Sequence, residues 1–444
     1  MEEEKVSKRQ LILVGIAVLL TGILLIVKPS HSVFQVNKTI NIMDAKVGNF
    51  GNGCSGIKNL KDCILASNGG STAIEAKGNP TFNKAPVSQE YYDLQYFPDE
   101  YVVENGMWAM EDEYGTSYYF RGGYDVLNNN LIFAGFQWKV IRINGDGSIR
   151  LLYNGTCSGN IIPCDGIGMN QYSPVGIAGS IGKFVFGTEN SQATFGEAKY
   201  VGYMYGGPIG VASSSYAEAT QSIKGVSISS NAKTVLESWY ATNLLSQGNS
   251  ITDKVVDNLF CNDRKPSSNP SSIDYLGGYG NLATQYGSVI RSPINTTLDG
   301  YVNPTLLCQN AHPSVTLTND QFTVSQITYN HPITGSKTVG NGALTYPIGL
   351  VTLDEAFLAG VYRTSLGSFK NYLSSSSDTW TMSPYTFGGG GFGIACVFVV
   401  RSGGEYSLGQ QMGEEPIRPV INLSSTVEIS SGDGSLTNPF IIAP

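Results

Sequence analysis

Residues 380–423 read WTMSPYTFGGGGFGIACVFVVRSGGEYSLGQQMGEEPIRPVINL. The ends of this stretch have the pattern of core strands: Trp380 and Met382 alternate at one end, and Val420 and Ile421 close the other. Between them the chain is rich in Gly, Phe and Tyr, with four consecutive glycines from Gly388 to Gly391. Glycine lets a backbone take almost any path, and aromatics gathered on such a loop cannot all be core. A fixed frame holding a permissive aromatic loop is how a recognition surface is built. Its candidate contacts are Tyr385, Phe387, Phe392, Arg401 and Tyr406, with Trp380, Met382 and Phe398 expected in the frame. The plainer reading has Phe387 and Phe392 folding inward and Arg401 ending a strand in solvent.

Upstream, Ser117 to Arg121 reads as a strand and Asn128-Asn129-Asn130 as a turn. Leu131 to Ile143 alternates, with Phe136, Trp138 and Val140 on one face. Asn144-Gly145-Asp146-Gly147 then turns the chain into Ser148–Tyr153, a strong hairpin signal. Asn144, Asp146 and Ser148 mimic the start of a calcium loop, but position twelve is Gly155, so a plain turn is expected. Lys183 to Tyr205 suggests further short strands, and GDGS at 432–435 turns between two more. Helices are expected over Leu60–Ala66, from Ser230 with Val235, Leu236, Trp239, Tyr240 and Leu244 on one face, and over Ile251–Phe260. Thr352 with Glu355 makes a capping box for a helix through Ala359. Pro266 to Asn341 reads as long polar loops, and Glu90 to Tyr101 shows no period.

Leu11 to Val27 carries no charge and spans ~25 Å as a helix, the lower edge of what a bilayer needs. Lys5, Lys8 and Arg9 precede it, which places the N-terminus in the cytoplasm and the rest outside. A retained anchor and a secretory signal cut after Ser32 both fit, and both export the chain. Charged residues make up only 14 % and the net charge is −8, so no basic surface speaks for nucleic acid as a partner. Of seven cysteines, Cys54 with Cys63, Cys157 with Cys164, and Cys261 with Cys308 are the pairs spacing suggests, leaving Cys396 free. No C-x-x-C exists and the histidines are His31, His312 and His331, so no metal site is expected. N-x-S/T triplets stand at Asn37, Asn154, Asn295 and Asn422.

A wider pattern joins these pieces. Phe136 and Trp138 lead into RINGDGSIRLLY from Arg142. Trp239-Tyr240 lies on a helix, and FCNDR follows from Phe260. YPIGLVTLDE from Tyr346, WTMSP from Trp380 and RPVINL from Arg418 complete the series. From about Thr116 to Leu423 the chain resembles a large, mostly uncharacterised family of exported Gram-positive bacterial proteins. Their domain is similar to the C-type-lectin-like fold of formylglycine-generating enzymes, and related folds serve as receptors with retroelement-diversified loops. The resemblance implies an α+β, C-type-lectin-like ectodomain with antiparallel strands and a few helices, after a single N-terminal transmembrane helix. It does not carry over the enzymes' cysteine pair, since only Cys396 lies in that region. Nor does it carry calcium-dependent sugar binding, whose E-P-N or Q-P-D and W-N-D triplets do not occur.

The expected organisation is a cytoplasmic tail (1–10), an anchor or signal (11–27), a membrane-proximal stem (33–115), the lectin-like domain (116–425) and a C-terminal hairpin (426–444). No G-x-S-x-G occurs, and Gly335-Ser336-Lys337-Thr338 lacks the P-loop's G-K step. Asp263, Asp354 and Glu355 are the acids to watch for glycoside hydrolysis, although capping explains Glu355 and pairing with Arg264 explains Asp263. The expectation is therefore a cell-membrane receptor or adhesin for an extracellular glycan or protein ligand. No catalysis and no cofactor are expected. A structural surface or filament subunit, joined through the leftover Cys396 thiol, is the alternative.

Overall fold

Turn chemistry decides where the strands begin and end. The run from Leu131 to Ile143, expected as one alternating strand, breaks at Ala134-Gly135, where both residues take positive φ (54° and 78°). A two-residue turn of that hand suits the right-handed twist of the flanking strands, so the run folds into a hairpin.

The computed structural model describes residues 54–94, 100–124, 126–156, 179–187, 230–260, 284–285, 291–292, 303–308, 327–331, 335–339, 344, 346–362, 371–387 and 395–444. Its first strands are β1 (Ala85–Pro86), β2 (Tyr101–Val102), β3 (Gly106–Asp112), β4 (Gly115–Arg121), β5 (Asn130–Phe133), β6 (Phe136–Ile143) and β7 (Ile149–Thr156). There follow β8 (Lys183–Val185), β9 (Thr284–Gln285), β10 (Ile327–His331), β11 (Gly335–Val339), β12 (Thr379–Phe387) and β13 (Ala395–Val400). The last are β14 (Tyr406–Gln410), β15 (Glu414–Pro416), β16 (Val420–Leu423), β17 (Ile429–Ser431) and β18 (Phe440–Ile442). The fold is mixed α+β, mostly strands with a few short helices around a curled antiparallel sheet.

The main sheet runs β16-β7-β6-β5-β18-β17, with β4 joining β6 and β3 joining β4. Register shifts between β6 and β7, at Phe136/Trp138 and Val140/Arg142, mark bulges that bend it. A second sheet runs β14-β13-β12-β9, and β8 pairs with β15. One hydrophobic core joins these layers, from Leu60 and Ile64 through Trp138 and Leu151 to Trp380 and Val397. Trp239 takes the core role expected of it, its ring 5.2–6.2 Å from those of Phe136, Trp138 and Tyr153.

Four expectations need correction. The boundary between stem and domain at 115/116 falls inside a hairpin: β3 pairs with β4 from Gly106↔Arg121 to Asp112↔Gly115. The helix Leu60–Ser67 also buries Leu60, Cys63 and Ile64 in the same core. The C-terminal hairpin over 426–444 does form, β17 against β18, but it is part of the main sheet and not a unit of its own, because β18 pairs in parallel with β5. The helix expected over Ile251–Phe260 covers only Asn249–Thr252. Beyond it Val255 bridges to Leu423 and Val256 donates to the Asn422 carbonyl, so β-branched residues take strand-like pairing instead. Within the expected loops of 266–341, β10 and β11 form an antiparallel hairpin.

Other local signals act as read. Ser230 Oγ accepts from Lys233 N to cap the helix Asn231–Asn243, and the Thr352/Glu355 capping box starts the helix Leu353–Ala359. Gly360, left-handed at φ 105°, ends it. The Asn144–Gly147 turn closes on itself, with Ser148 Oγ donating to Asp146 Oδ1 at 2.6 Å. The 11–27 segment lies outside the described residues, and among these no helix is long and apolar enough to cross a membrane.

Candidate functional site

The frame around residues 388–394 is a buried hairpin. On β12, Trp380 and Met382 point into the core, and Trp380 Nε1 donates to the Phe184 carbonyl at 2.8 Å. Met382 N donates to Val351 O, while Ser383 Oγ accepts from Leu353 N at 2.8 Å, fastening β12 to the start of the capped helix. Cys396 to Val400 on β13 are all buried. Polar side chains on β12 turn back onto backbone, as Thr381 Oγ1 does to Phe398 O. Such a hairpin holds its tip at a fixed separation whatever path the tip takes.

Two of the five predicted contacts meet on this frame. The Tyr385 ring stands edge-on to Phe398, centroids 4.6 Å apart, and Tyr406 lies 6.0 Å from Phe398 and 5.2 Å from Phe357. The Tyr406 hydroxyl is hydrogen-bonded to Ser292 Oγ. Both tyrosines are half-buried, each with its ring packed on Phe398. Arg401 sits apart, beyond the end of β13, with its side chain 48 % exposed. Its Nε is 3.2 Å from Asp378 Oδ2 and its Nη1 3.7 Å from Glu405 Oε1. Phe387 ends β12, paired with Ala395 and Thr284, and its side chain lies outside what is described. Phe392 lies outside the described residues altogether.

Beneath the frame lies a polar row that composition did not reveal. Neighbouring strands align Trp108, Tyr119, Arg142, Arg150 and Asn422 side by side. All five are buried, and each has a nitrogen or hydroxyl without a hydrogen-bond acceptor. Glu355 lies against the middle of this row. Its Oε1 is 2.6 Å from Arg150 Nε and 3.4 Å from Arg142 Nη2, while Oε2 accepts from Thr352 N. The 2.6 Å approach is an ion contact off the hydrogen-bond direction, so charge more than orbital alignment holds it. Burial alone would raise the Glu355 carboxyl, but Arg150, Arg142 and the Thr352 N–H outweigh it and hold it below the ordinary range. Burial pushes Arg150 down to about 10, and its guanidinium stacks 4.2 Å from the Phe260 ring.

The neighbouring acid is also committed. Asp354 takes Arg291 in a two-pronged ion pair (2.6 and 2.7 Å) and accepts from Thr305 N. Asp354 is thus the counter-ion of one buried guanidinium and Glu355 of two. Of the acids singled out from sequence, Asp354 and Glu355 therefore hold the fold together, and Asp263 lies outside the described residues. The row left one readable signal. A turn centred on 145–147 must bring Arg142 opposite Arg150, and two facing arginines demand an acid.

No protein-family model matches the chain, and neither a curated protein nor a solved structure does. The site must therefore be read from its own chemistry. Among the described residues no group of His, Cys, Asp and Glu is arranged to hold a metal ion. Cys54 and Cys63 form the disulfide their spacing suggested, and Cys308 is disulfide-bonded. Cys157, Cys164 and Cys261 lie outside the described residues. Cys396 is free and buried on β13, its thiol pushed up to about 12 by burial. The thiol proposed to join chains is therefore not at the surface.

Two of the N-x-S/T triplets are structural. Asn154 Oδ1 accepts from Arg418 Nη2, Asn422 Oδ1 accepts from Asn144 Nδ2, and both residues are buried. A groove of about 640 Å³ lies between the Cys54–Lys58 turn and residues 428–433, with Asn438 and Ala443 completing its wall. None of the predicted contacts lines it.

Proposed function

We propose that the chain is a membrane-anchored extracellular ligand-binding protein, a surface receptor or adhesin with a C-type-lectin-like ectodomain. Residues 11–27 would anchor it, with the N-terminus cytoplasmic and the domain outside. The ligand, a glycan or a protein, would meet the Gly/aromatic loop between Ser383 and Arg418. The observation that carries this reading is the seating of Tyr385 and Tyr406 on either side of Phe398. Two amphipathic rings, one on β12 and one on β14, are packed against the buried β13 side chain between them, with little freedom left to lose on binding. The pairing of Asp354 and Glu355 with buried arginines adds support, since both carboxylates are already engaged as counter-ions within the fold.

The test is binding of the full-length chain, in detergent, to glycan and protein arrays. A variant with Tyr385, Phe387, Phe392 and Tyr406 changed to Ser is run beside it, its fold checked by near-ultraviolet circular dichroism. Loss of a ligand in the folded variant would support the loop as the site. Unchanged binding would move the site elsewhere, and silence from both proteins would count against a receptor.

A further inference from the structure

The second sheet ends in β14, which pairs with β13 and, on its other side, with no strand among the described residues. Its hydrogen-bond phase is fixed by Arg401 N donating to Glu405 O, which makes Val399↔Ser407 and Val397↔Gly409 the bonded pairs. The backbone groups of Tyr406, Leu408 and Gln410 therefore point away from the sheet. Tyr406 N confirms this by donating outward to Tyr362 O, in a parallel bridge that occupies the first outward position. Among the described residues the next positions are open. Leu408 offers both its N–H and its C=O and Gln410 its N–H, while the Gln410 carbonyl accepts from Gly413 N. Leu408 is also 44 % exposed, on the face of Phe398 beside the predicted contacts.

Natural edges are usually blunted by Lys, Pro, a bulge or an inward charge. The sequence of β14, YSLGQ, has none of these, and its register with β13 is unbroken. Charge says what fits. Asp378, Glu405 and Glu415 gather at the Arg401 end of this strand, against Arg401 and Lys183. Arg401 divides its guanidinium between Asp378 and Glu405, and Glu405 Oε2 has no donor. Burial raises the Glu415 carboxyl and the like charge of Asp378 raises it further, as expected of a cluster short of cations. A second copy of this acidic chain would bring the same carboxylates against themselves.

We propose that the outer edge of β14 takes an extended peptide segment of a partner protein by strand addition, with an apolar residue beside Leu408 and a Lys or Arg reaching Glu405. This rests on the receptor reading and names its ligand as protein instead of glycan.

The probe is a fluorescein-labelled peptide, KTVTK, whose symmetry lets it pair in either direction. It is titrated by anisotropy onto the full-length chain beside ETVTE and a KTVTK N-methylated at Val. Saturable binding of KTVTK is expected. Each control should bind at least about tenfold more weakly, since one lost backbone bond or a reversed charge is worth roughly that factor. Leu408→Pro removes an outward N–H, which edge strands tolerate, together with the exposed leucine side chain, and should weaken KTVTK at least as much. Glu405→Gln should erase the preference over ETVTE.

Equal binding of the N-methylated peptide to the wild-type chain would overturn the proposal without relying on any variant. So would no saturation by about 5 mM, below which millimolar affinities are readable. Array ligands that survive Leu408→Pro would sink the edge and leave the receptor standing. Peptide capture with the loop variant unaffected would do the reverse.

Discussion

Arg142 and Arg150 stand directly opposite each other on β6 and β7, both buried, with one carboxylate, Glu355, between them. Facing like charges oppose strand pairing, so this register depends on Glu355. Glu355→Gln should cost about 3–5 kcal/mol in denaturant unfolding, because it takes the paired carboxylate from buried Arg150 and leaves Arg142 with only the charge of Asp112 nearby. Replacing Arg142, Arg150 and Glu355 by apolar residues of similar volume should cost far less. A Glu355→Gln protein as stable as the parent would show that charge does not set the register.

The same carboxyl gives stability a pH dependence of definite sign. Its folded value lies below the unfolded one, so its contribution is complete above the ordinary glutamate range. That contribution is lost as pH falls through the folded value. The stability gap between wild type and Glu355→Gln should be widest near neutrality and shrink in acid. A gap that is constant down to pH 3 or so would contradict this.

Tyr406 separates ring packing from hydrogen bonding. Tyr406→Phe keeps the contacts with Phe357 and Phe398 and removes the bond to Ser292. It should cost about 1 kcal/mol. Tyr406→Ser also loses the ring and should cost about 3 kcal/mol or more. Equal losses would mean that the ring contributes little.

Cys396 should be silent in the native protein. A thiol titrating near 12 is ionised to about one part in ten thousand at pH 8, and thiolate is the reactive form. Iodoacetamide should label it only after denaturation. Rapid native labelling would mean that β13 opens locally.

The disulfide between Cys54 and Cys63 closes a short loop, with a sequence separation of 9. Loop-closure entropy for that length gives about 2.5 kcal/mol. The double variant Cys54→Ser, Cys63→Ser should lose about that much, measured by chemical denaturation. A loss near zero would indicate that helix Leu60–Ser67 docks without help.

Local chemistry was legible in the sequence and distant partnership was not. Thr352 with Glu355, Ser230 before its helix, and the glycine-rich turn at 144–147 each act within a few residues, so the letters suffice. The frame of the site was equally plain, since Trp380 and Met382 alternate toward the core. Arg121 shows where reading stops: it is buried because its Nη1 donates to the Phe357 and Leu358 carbonyls, 236 and 237 positions away. Backbone carbonyls carry no sequence signature, so such an arginine looks like any surface arginine. Tyr406 is similar, its hydroxyl partner Ser292 lying 114 positions upstream. The break at Ala134 escaped notice because alanine seldom adopts positive φ.

The parallel pairing of β18 with β5 has a bearing on how the protein is made. Asn130 reaches Gly434 across 304 positions, and β18 slots between β5 and β17. The sheet thus stays unfinished until synthesis has passed Phe440. Every shorter nascent chain carries β5 with a bare flank, slow to settle and open to chaperones. The order of strands works as a timer: the sheet closes only when its last-made strand takes its place between β5 and β17.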